Sequence, residues 1–506
     1  MNRILKVGVC GSGGTMGSGI ARVAARAGFE TICFDQSADG LRRARAGTDD
    51  FFAKSVARGR MTAEQHADVM RRMTDATDLS ALAECDLVIE AIFENLEAKR
   101  QLFARLHAIC KPSAIFASNT STLSITEIAS GCGREERVVG MHFCLPAELM
   151  KLIEMSRGMN TADDVFRQAW AWTEAAGQLP VETQDKPGFI LNALLVPFNN
   201  DVLRAIDAGL CTPEDIDTAI RVALGYKMGP CTLLDLIGLD TQVRLGEAFH
   251  PITQDPRAAV PAILRRMVAA GRLGNKSGKG LLTGRRHVPA AAGKTFSIVS
   301  GQASLSFPEG DGFLEAATGN GEVTVCLGGA FSPDPAKSAV LVELDTECLG
   351  FHTGEDVQDG SNVVGFARYR NGSDAPSNLI ELVRQAKTSS TAIEAARATF
   401  EQAGFQTVVC ADLPGRIVDR LVRPKYNDAL RFVDEGLASA EDMDKTCRLG
   451  LGYPDGPIER VKRGGLDRHF DVSTAIHRMT GLPGYAPARA AVVAADRRSQ
   501  RMRTLP

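Results

Sequence analysis

The sequence predicts an α/β domain built on a parallel sheet, then an all-helical module, and after these a reduced second copy of both. Three observations predict this fold class. An apolar strand pattern (6–10) leads through a glycine-rich turn into a helix and a second strand. Later, a capped helix start at Thr212 is surrounded by apolar residues at helical spacing. Finally, residues 185–240 align without a gap on 412–467, and 25 of these 56 positions are identical, which indicates duplicated structural units.

The composition is that of an ordinary globular protein and excludes several classes. With 506 residues, 44% hydrophobic and 24% charged, the chain is neither disordered nor fibrous, and it needs roughly three or four domains. A net charge of −3 offers no broad positive surface for nucleic acid, and no apolar run reaches the ~20 residues that span a bilayer. The twelve cysteines show no metal-ligand spacing, and the N-terminal apolar run is too short for a secretory signal. We therefore expect a cytoplasmic protein without metal, nucleic-acid or membrane partners.

The turn after the first strand is typical of a dinucleotide site. Glycines there allow a tight turn and the close approach of a pyrophosphate to the first amides of the next helix. The residues expected to line this phosphate site are Gly11, Gly13, Gly14, Thr15, Met16 and Gly17. The spacing of Gly11, Gly13 and Gly17 is one residue longer than usual, which predicts a bulge and leaves open which glycine faces the phosphates.

The second strand pattern (31–34) ends at Asp35, about 20 residues after the turn. An acid at this point holds the ribose hydroxyls of NAD. The next residue, Gln36, supplies no cation for a 2′-phosphate. The sequence therefore predicts a Rossmann-type domain that binds NAD rather than NADP.

Polar residues follow two further strand patterns, at 86–92 and 114–117. They are Glu90, Glu94 and the tetrad Ser118–Ser121. Ligands bind outside the carboxyl ends of the strands in an open parallel sheet, so we expect these side chains at the cofactor and substrate edge. The tetrad could equally cap a following helix.

Once the strand pattern at 138–143 is included, the chain resembles the L-3-hydroxyacyl-CoA dehydrogenase family. The resemblance is carried by an ordered series of motifs: Ser118–Ser121, Gly140–Phe143, Met150–Glu154, Asp185–Asn192, Gly225–Pro230 and Gly238–Asp240. The series spans residues 5 to about 283. The layout of the whole chain is similar to the two-copy bacterial members, such as 3-hydroxybutyryl- and 3-hydroxyadipyl-CoA dehydrogenases.

The resemblance implies reversible NAD-dependent oxidation of L-3-hydroxyacyl-CoA to 3-oxoacyl-CoA in fatty-acid or aromatic-acid degradation. Such a reaction needs a base for the hydroxyl proton, and histidine serves near neutral pH. By resemblance, His142 is that base and Glu154 orients its ring. Ser121 and Asn192 would hydrogen-bond the substrate oxygen.

The resemblance also implies the residues that contact the cofactor. These are Asp35, Gln36, Glu94, Lys99, Ser121 and Lys276. Arg58 falls where the family has lysine and would contact CoA, although its helix could equally be a solvated face. Two positions depart from the family: Leu145 stands in place of asparagine and Ala193 in place of arginine. Leu145 removes a polar contact near the nicotinamide or the substrate.

The second copy keeps Glu381 of the acid–base pair, but Ala367 replaces the histidine and Asp419 replaces the asparagine. The strand pattern at 323–326 is not followed by a complete phosphate loop, and residues 294–322 carry no interpretable signal. We therefore predict that the second copy is non-catalytic and acts through packing.

The predicted domains are an NAD-binding Rossmann domain (1–184), a helical C-terminal-type domain (185–285), a reduced Rossmann-like domain (294–411) and a second helical domain (412–500). A flexible linker (283–293) separates the halves, and the arginine-rich C-terminal tail is expected to be frayed.

Two alternative functions remain beside the leading one: a dehydrogenase of a CoA-free 3-hydroxy acid, and a non-catalytic dinucleotide or CoA-ester binding protein. The helical module resembles a dimerisation unit and predicts a homodimer, unless its duplicate fills the same surface within one chain.

Overall fold

The structure is a computed structural model that describes residues 3–284, 293–354 and 361–504. These residues form two compact units. The first unit comprises Met1–Ala193 with Val433–Leu451, and the second comprises Leu194–Phe432 with Gly452–Pro506. Most of the predicted linker lies outside the described residues.

The first unit is built on an eight-stranded sheet. Its strands are β1 (Lys6–Cys10), β2 (Glu30–Phe34), β3 (Met73–Ala76), β4 (Leu87–Glu90), β5 (Ile115–Ser118), β6 (Val138–Phe143), β7 (Leu152–Arg157) and β8 (Leu179–Gln184). Their order is β3-β2-β1-β4-β5-β6-β7-β8, and all neighbours are parallel except β6 and β7. The predicted Rossmann domain is confirmed.

Helices and two apolar clusters cover the faces of this sheet. The helices are α1 (Thr15–Arg26), α2 (Ala38–Ala57), α3 (Ala63–Arg72), α4 (Leu96–Ile109), α5 (Ile125–Ala129) and α6 (Asp163–Ala175). Every residue of β4 and β6 is buried, as expected for central strands covered on both faces. The strands β1, β4 and β5 therefore end at one edge of the sheet. The polar residues Glu90, Glu94 and Ser118–Ser121 lie at this edge.

The described residues of the second unit form a six-stranded sheet. Its strands are β9 (Phe296–Ser300), β10 (Val323–Leu327), β11 (Ala339–Glu343), β12 (Val363–Arg368), β13 (Leu379–Arg384) and β14 (Gln406–Ala411), in the order β14-β13-β12-β11-β10-β9. They match β8, β7, β6, β5, β4 and β1 in order and direction. Within the described part of the second unit, β2 and β3 have no counterpart. The helices interleaved with these strands are α12 (Gly312–Glu315), α13 (Gly350–Thr353) and α14 (Ser390–Glu401).

The strand predicted at 323–326 in the second copy requires a correction. The counterpart of β1 is β9, in a segment without an interpretable signal, whereas the predicted strand at Val323 is the counterpart of β4. The reason is that only Phe296 of β9 is fully buried and the rest is partly or largely exposed, so the strand lacks an apolar run.

Two helical modules follow the sheets. The first contains α7 (Leu191–Asp207), α8 (Pro213–Leu224), α9 (Pro230–Ile237), α10 (Leu239–Thr253) and α11 (Ala262–Ala269); the second contains α15 (Val418–Asp434), α16 (Ala440–Leu451), α17 (Pro457–Arg463), α18 (Leu466–Thr480) and α19 (Arg489–Thr504). The repeat is visible in the caps: Thr212 Oγ1 accepts from Asp215 N at the start of α8, and Ser439 Oγ from Asp442 N before α16.

One helix of each module packs on the sheet of the other half of the sequence. Helix α16 lies in the first unit, against β7 and β8, and α8 lies in the second unit, against β13 and β14. The backbone contacts repeat: Gln184 N donates to Leu437 O at 2.9 Å, and Ala411 N donates to Leu210 O at 2.7 Å. The duplication is therefore reciprocal rather than a tandem of two separate folds.

The remaining helices of the two modules meet inside the second unit. Arg257 pairs there with Asp201 of α7 at 2.8 Å and with Asp428 of α15 at 2.5 Å. These two aspartates occupy equivalent positions of the repeat. Arg257 thus pairs with equivalent residues of both modules.

The predicted frayed tail is wrong, because residues up to Thr504 form α19. Ala491 and Ala495 are buried at helical spacing, and Arg498 pairs with Asp471 of α18 at 2.7 Å. The sequence did not predict this helix, because its buried residues include small alanines, which form no clear apolar pattern. Among the helices that the structure describes, none is long and apolar enough to cross a membrane.

Candidate active site

The glycine-rich turn leaves an open cradle at the carboxyl ends of β1 and β4. Gly11 has a φ of +86°, and a Cβ there would stand 2.5 Å from Ala91 O. The N–H groups of Gly11 and Ser12 both donate to Phe34 O, at 2.9 and 3.1 Å, so two successive residues oppose one, as in a β-bulge. Because α1 begins at Thr15, Gly17 lies inside the helix, where a side chain would collide with Gly11 O.

Asp35 fastens this turn from the end of β2. Its Oδ2 accepts from Gly13 N at 2.9 Å, and its Oδ1 accepts from Ser37 N at 2.9 Å. A Cβ on Gly13 would stand 2.9 Å from the same carboxylate. Only glycine at position 13 therefore lets the turn approach the Asp35 carboxylate so closely. The neighbouring Gln36 is exposed.

A cavity of about 430 Å³ opens beside this turn. Its lining is formed by Gly11, Gly14, Phe34, Asp35, Gln36, Ala91, Ile92, Phe93, Ala98, Gln101, Leu102 and Arg105. The cavity lies outside the carboxyl ends of parallel strands, where nucleotides bind in such sheets. The glycine cradle, the acid and the cavity fit a bound NAD.

Glu94 orders the loop that follows β5. Its Oε1 accepts from Thr120 Oγ1 at 2.6 Å, Ser121 N at 2.9 Å and Thr122 N at 3.0 Å. Burial raises the pKa of Glu94, but the Lys99 ammonium and these hydrogen bonds outweigh it and leave the pKa below its usual value. Glu94 thus stays ionised and fixes the backbone of Ser121.

Lys99 lies beneath this loop and is 1% exposed. Its Nζ donates to Glu90 Oε1 at 2.6 Å and is 3.2 Å from Glu94 Oε2. Glu90 also accepts from Ser118 Oγ at 2.7 Å. The structure therefore places Lys99 as the buried centre of an ion network that supports the cofactor edge.

Three of the four sequence-predicted catalytic residues, Ser121, His142 and Glu154, form one hydrogen-bonded series. His142 and Glu154 stand opposite each other on β6 and β7, with His142 Nδ1 2.7 Å from Glu154 Oε2. On the other side of the ring, Nε2 is 3.2 Å from Ser121 Oγ. Glu154 is fully buried and His142 is 6% exposed, so little water competes for these bonds.

The chain just before α7 holds the second oxygen of Glu154. Its Oε1 accepts from Ile190 N at 2.9 Å and from Leu191 N at 2.8 Å. The turn depends on Phe189, which has a φ of +50° and whose ring lies 5.6 Å from that of His142. Asn192 follows directly and is 9% exposed.

The remaining predicted residues lie at separate places. Arg58 is exposed at the C-cap of α2, which leaves both interpretations of it open. Lys276 pairs with Asp240 in the second unit. Leu145 is 61% exposed in the loop after His142, and Ala193 is half-buried in α7.

In the second copy, Ala367 stands opposite Glu381 where His142 stands opposite Glu154. Glu381 Oε1 still accepts from Ile417 N and Val418 N, at 2.8 and 3.0 Å. Its Oε2 faces Arg416 Nε at 3.7 Å, so a permanent cation replaces the titratable ring. Asp419 pairs with Arg423 at 2.8 Å.

Sequence reasoning missed several residues near the site: Phe189, Gln101, Arg105 and the helix α16. The helical pattern of α4 could have placed Gln101 and Arg105 on one face, since they are four residues apart. A positive φ at a phenylalanine leaves no local signal.

The chain is similar to known proteins in sequence and in fold. Residues 6–186 match the family described as "3-hydroxyacyl-CoA dehydrogenase, NAD binding domain", and residues 188–284 and 415–502 match "3-hydroxyacyl-CoA dehydrogenase, C-terminal domain". A 3-hydroxyadipyl-CoA dehydrogenase of Escherichia coli (strain K12) is 35% identical over 96% of both chains. A probable 3-hydroxybutyryl-CoA dehydrogenase of Deinococcus radiodurans is 40% identical over 54% of this chain and 99% of its own. The crystal structure of 3-hydroxybutyryl-CoA dehydrogenase from Escherichia coli K12 has a TM-score of 0.80 at 31% identity, covering 98% of this chain and 100% of that one.

Proposed function

The chain belongs to the 3-hydroxyacyl-CoA dehydrogenase family and is an NAD-dependent enzyme of that activity, and from this premise we propose that His142 and Glu154 carry out its acid–base chemistry. The observation that supports the proposal is the series Ser121–His142–Glu154, joined at 3.2 and 2.7 Å. Its inner end is buried and its outer end lies at the strand edge that also forms the nucleotide cradle.

His142 acts as the general base. Glu154 engages Nδ1, so Nε2 is the nitrogen that takes the proton from the C3 hydroxyl of an L-3-hydroxyacyl-CoA. The buried carboxylate then stabilises the imidazolium, as in other carboxylate–histidine pairs. In the reverse direction His142 returns the proton to the carbonyl oxygen. Bound NAD supplies the acceptor for the hydride that leaves C3.

Ser121 and Asn192 orient the substrate oxygen. Ser121 Oγ already contacts Nε2, so a substrate hydroxyl between them would meet both groups. Positioned donors of this kind favour the charge that develops on oxygen in the transition state. Their rigid supports are Glu94 for Ser121 and the turn before α7 for Asn192.

The cofactor is held by the glycine turn from Gly11 to Gly17, with Asp35 and Gln36 at the ribose end. Glu94 and Lys99 support the adjoining loop, and Lys276 stays a predicted contact. Because Asp35 repels a 2′-phosphate and Gln36 supplies no cation, NAD is preferred over NADP.

The acyl group is proposed to be that of a short 3-hydroxyacyl-CoA from fatty-acid or aromatic-acid degradation, since the relatives are named for hydroxybutyryl and hydroxyadipyl thioesters. The test is NADH formation with a panel of L-3-hydroxyacyl-CoAs, the D-isomers as matched controls, free 3-hydroxy acids, and NADP in place of NAD. Turnover of the free acids alone would contradict this proposal.

Leu145 favours a second candidate, a dehydrogenase of a CoA-free 3-hydroxy acid. The side chain is 61% exposed on the loop after His142, where the family has a polar residue, so it presents an apolar surface near the substrate. The same panel separates the two candidates. A Leu145→Asn variant that gains activity towards CoA thioesters would identify this position as the cause.

We also propose that the two helical modules pair with each other within one chain. The homodimer expected from the resemblance stays a prediction. The internal pairing through Arg257, Asp201 and Asp428 supports the alternative, in which the duplicate fills the module's surface.

A further inference from the structure

Helix α16 belongs in sequence to the second, non-catalytic half, yet it packs on the strand that carries Glu154. The segment Val433–Leu451 is part of the first unit, and α16 lies against β7 and β8. Two polar contacts fix it there: Gln184 N donates to Leu437 O at 2.9 Å, and Lys445 Nζ donates to Pro180 O at 2.9 Å. The second half therefore contributes a structural wall to the first active site.

The helix approaches two leucines of the first unit closely at Gly450. A Cβ placed there would stand 3.0 Å from Leu152 Cδ2 and 3.2 Å from Leu191 Cδ1. These distances are tighter than ordinary van der Waals contact, so any larger residue would displace one of the two leucines. Leu152 is fully buried and Leu191 is 9% exposed, so neither has open space to move into.

Both leucines are coupled to Glu154. Leu152 lies two residues before it on β7 and therefore on the same face of the strand. Leu191 N donates to Glu154 Oε1 at 2.8 Å, one of the two bonds that hold the carboxylate towards His142. A shift of Leu191 would lengthen this bond and turn the carboxylate.

We infer that α16 is a positioning element for the active site of the first half, and that Gly450 is the residue through which it fixes the Glu154–His142 pair. The inference rests on the proposed catalytic role of that pair. Gly450 is a positioning residue, which contacts neither substrate nor cofactor and acts through Leu191.

The repeat supplies an internal comparison. The counterpart of Gly450 is Ala223 in α8, which packs in the same way on β13 and β14. Glycine is less favourable than alanine within a helix, so its presence needs a reason. The glycine is therefore in the helix that packs on β7, beside the strand with His142, and the alanine is in the helix that packs on β13, beside the strand with Ala367.

The test is the variant Gly450→Leu in the full chain, with Ala223→Leu as the matched control. For Gly450→Leu we expect kcat to fall about 10- to 100-fold, the effect of a displacement of about 1 Å at a reacting group. KM for NAD should stay unchanged, because the glycine turn and Asp35 are not involved. Ala223→Leu should leave kcat and KM at their wild-type values.

The pH profile separates positioning from simple damage. His142 faces Glu154 and the Ser121 hydroxyl; the Cys144 thiol also faces Glu154, but burial raises its pKa so that it stays neutral. When the carboxylate turns away, the imidazolium loses its partner. The acidic limb of the profile of kcat against pH should therefore move towards lower pH in Gly450→Leu and not in Ala223→Leu.

A rescue completes the design. Leu191→Ala removes the displaced side chain but keeps its backbone N–H, so the double variant Gly450→Leu/Leu191→Ala should recover the kcat of Leu191→Ala alone. If Gly450→Leu does not fold, Gly450→Ala replaces it, with a smaller loss of kcat and the same direction of pH shift expected.

Wild-type kcat and pH profile in a folded Gly450 variant would overturn the inference, as would an equal loss in Ala223→Leu or a loss of kcat with no movement of the profile. His142→Gln is measured alongside. If it retains full turnover, the proposed function itself fails; if it is inactive while Gly450→Leu behaves as wild type, only the role of α16 fails.

Discussion

Tyr226 and Tyr453, which occupy equivalent positions of the repeat, stack on each other with ring centroids 3.6 Å apart and planes inclined by 12°. A residue that meets its own counterpart marks a pseudo-two-fold axis. Beside it, Lys425 Nζ lies 4.8 Å from the ring of Phe198, and these two residues are also equivalent in the repeat. A lysine facing its own copy would be repelled, whereas a lysine facing phenylalanine is attracted.

This pairing predicts the state of assembly. If the pairing within one chain fills the surface of each module, the chain should be a monomer by light scattering at micromolar concentration, whereas the resemblance to the family predicts a homodimer. The matched comparison is the single-copy relative from Deinococcus radiodurans under the same conditions. A stable dimer of the present chain would show that another surface mediates association.

Arg257→Ala should destabilise the chain strongly. The change leaves Asp201 and Asp428 close together, mostly buried and without their shared cation, which typically costs about 3–5 kcal/mol for a buried ion pair. The measurement is chemical denaturation. Arg266→Ala removes an exposed arginine that pairs with Asp207 and should cost under about 1 kcal/mol.

His142→Gln should lower kcat by roughly 10²–10⁴-fold, the usual contribution of a positioned general base. NAD binding, measured by calorimetry, should be retained, because the cradle is formed by the turn after β1. Loss of NAD affinity together with activity would instead indicate a structural role for the histidine.

Glu154→Gln and Glu381→Gln form a matched pair. The first presents an amide N–H to Nδ1 and favours the wrong tautomer of His142, so kcat should fall roughly 10²–10⁴-fold. The second faces Arg416 rather than histidine, and kcat should stay nearly unchanged. An equal loss in folded Glu381→Gln would show that the second half takes part in chemistry.

The pKa of Glu94 predicts how stability depends on pH. A carboxyl whose pKa is lowered in the folded state contributes stability above its unfolded pKa, about 4.3, and loses it as pH falls through the folded value. The Tm of the wild type should therefore exceed that of Glu94→Gln at neutral pH, by an amount constant down to about pH 5. The difference should narrow below about pH 4.3. If the difference in Tm between the wild type and Glu94→Gln does not depend on pH, the loss of stability is due to packing and not to the charge of Glu94.

Sequence patterns predicted the elements that carry an uninterrupted local signal. The strands β1 and β6 coincide with their predictions because each is an apolar run bounded by glycine or polar residues. The pairing of His142 with Glu154 followed from motif resemblance, and the register of β6 and β7 places the two residues opposite each other.

What the sequence could not indicate depends on tertiary context. The strand β9 is half-exposed and lacks periodicity, and α19 is held by alanines and an ion pair. Helices α8 and α16 have the same pattern, so no local feature indicates which sheet each one covers. Glu94 and Lys99 were predicted as cofactor contacts, and the structure places Lys99 in a buried ion network. A lysine near the start of α4 carries no mark of its burial in the sequence.

The placement of α16 also affects the order in which the protein can be made. The first unit is complete only when Val433–Leu451 has left the ribosome, after the whole of Leu194–Phe432 has been synthesised. For this segment of about 240 residues, translation at about 5–20 residues per second takes on the order of ten to fifty seconds. During that interval β7 and β8 expose the apolar face that α16 later covers, so the strand that carries Glu154 stays uncovered until this later helix has been made.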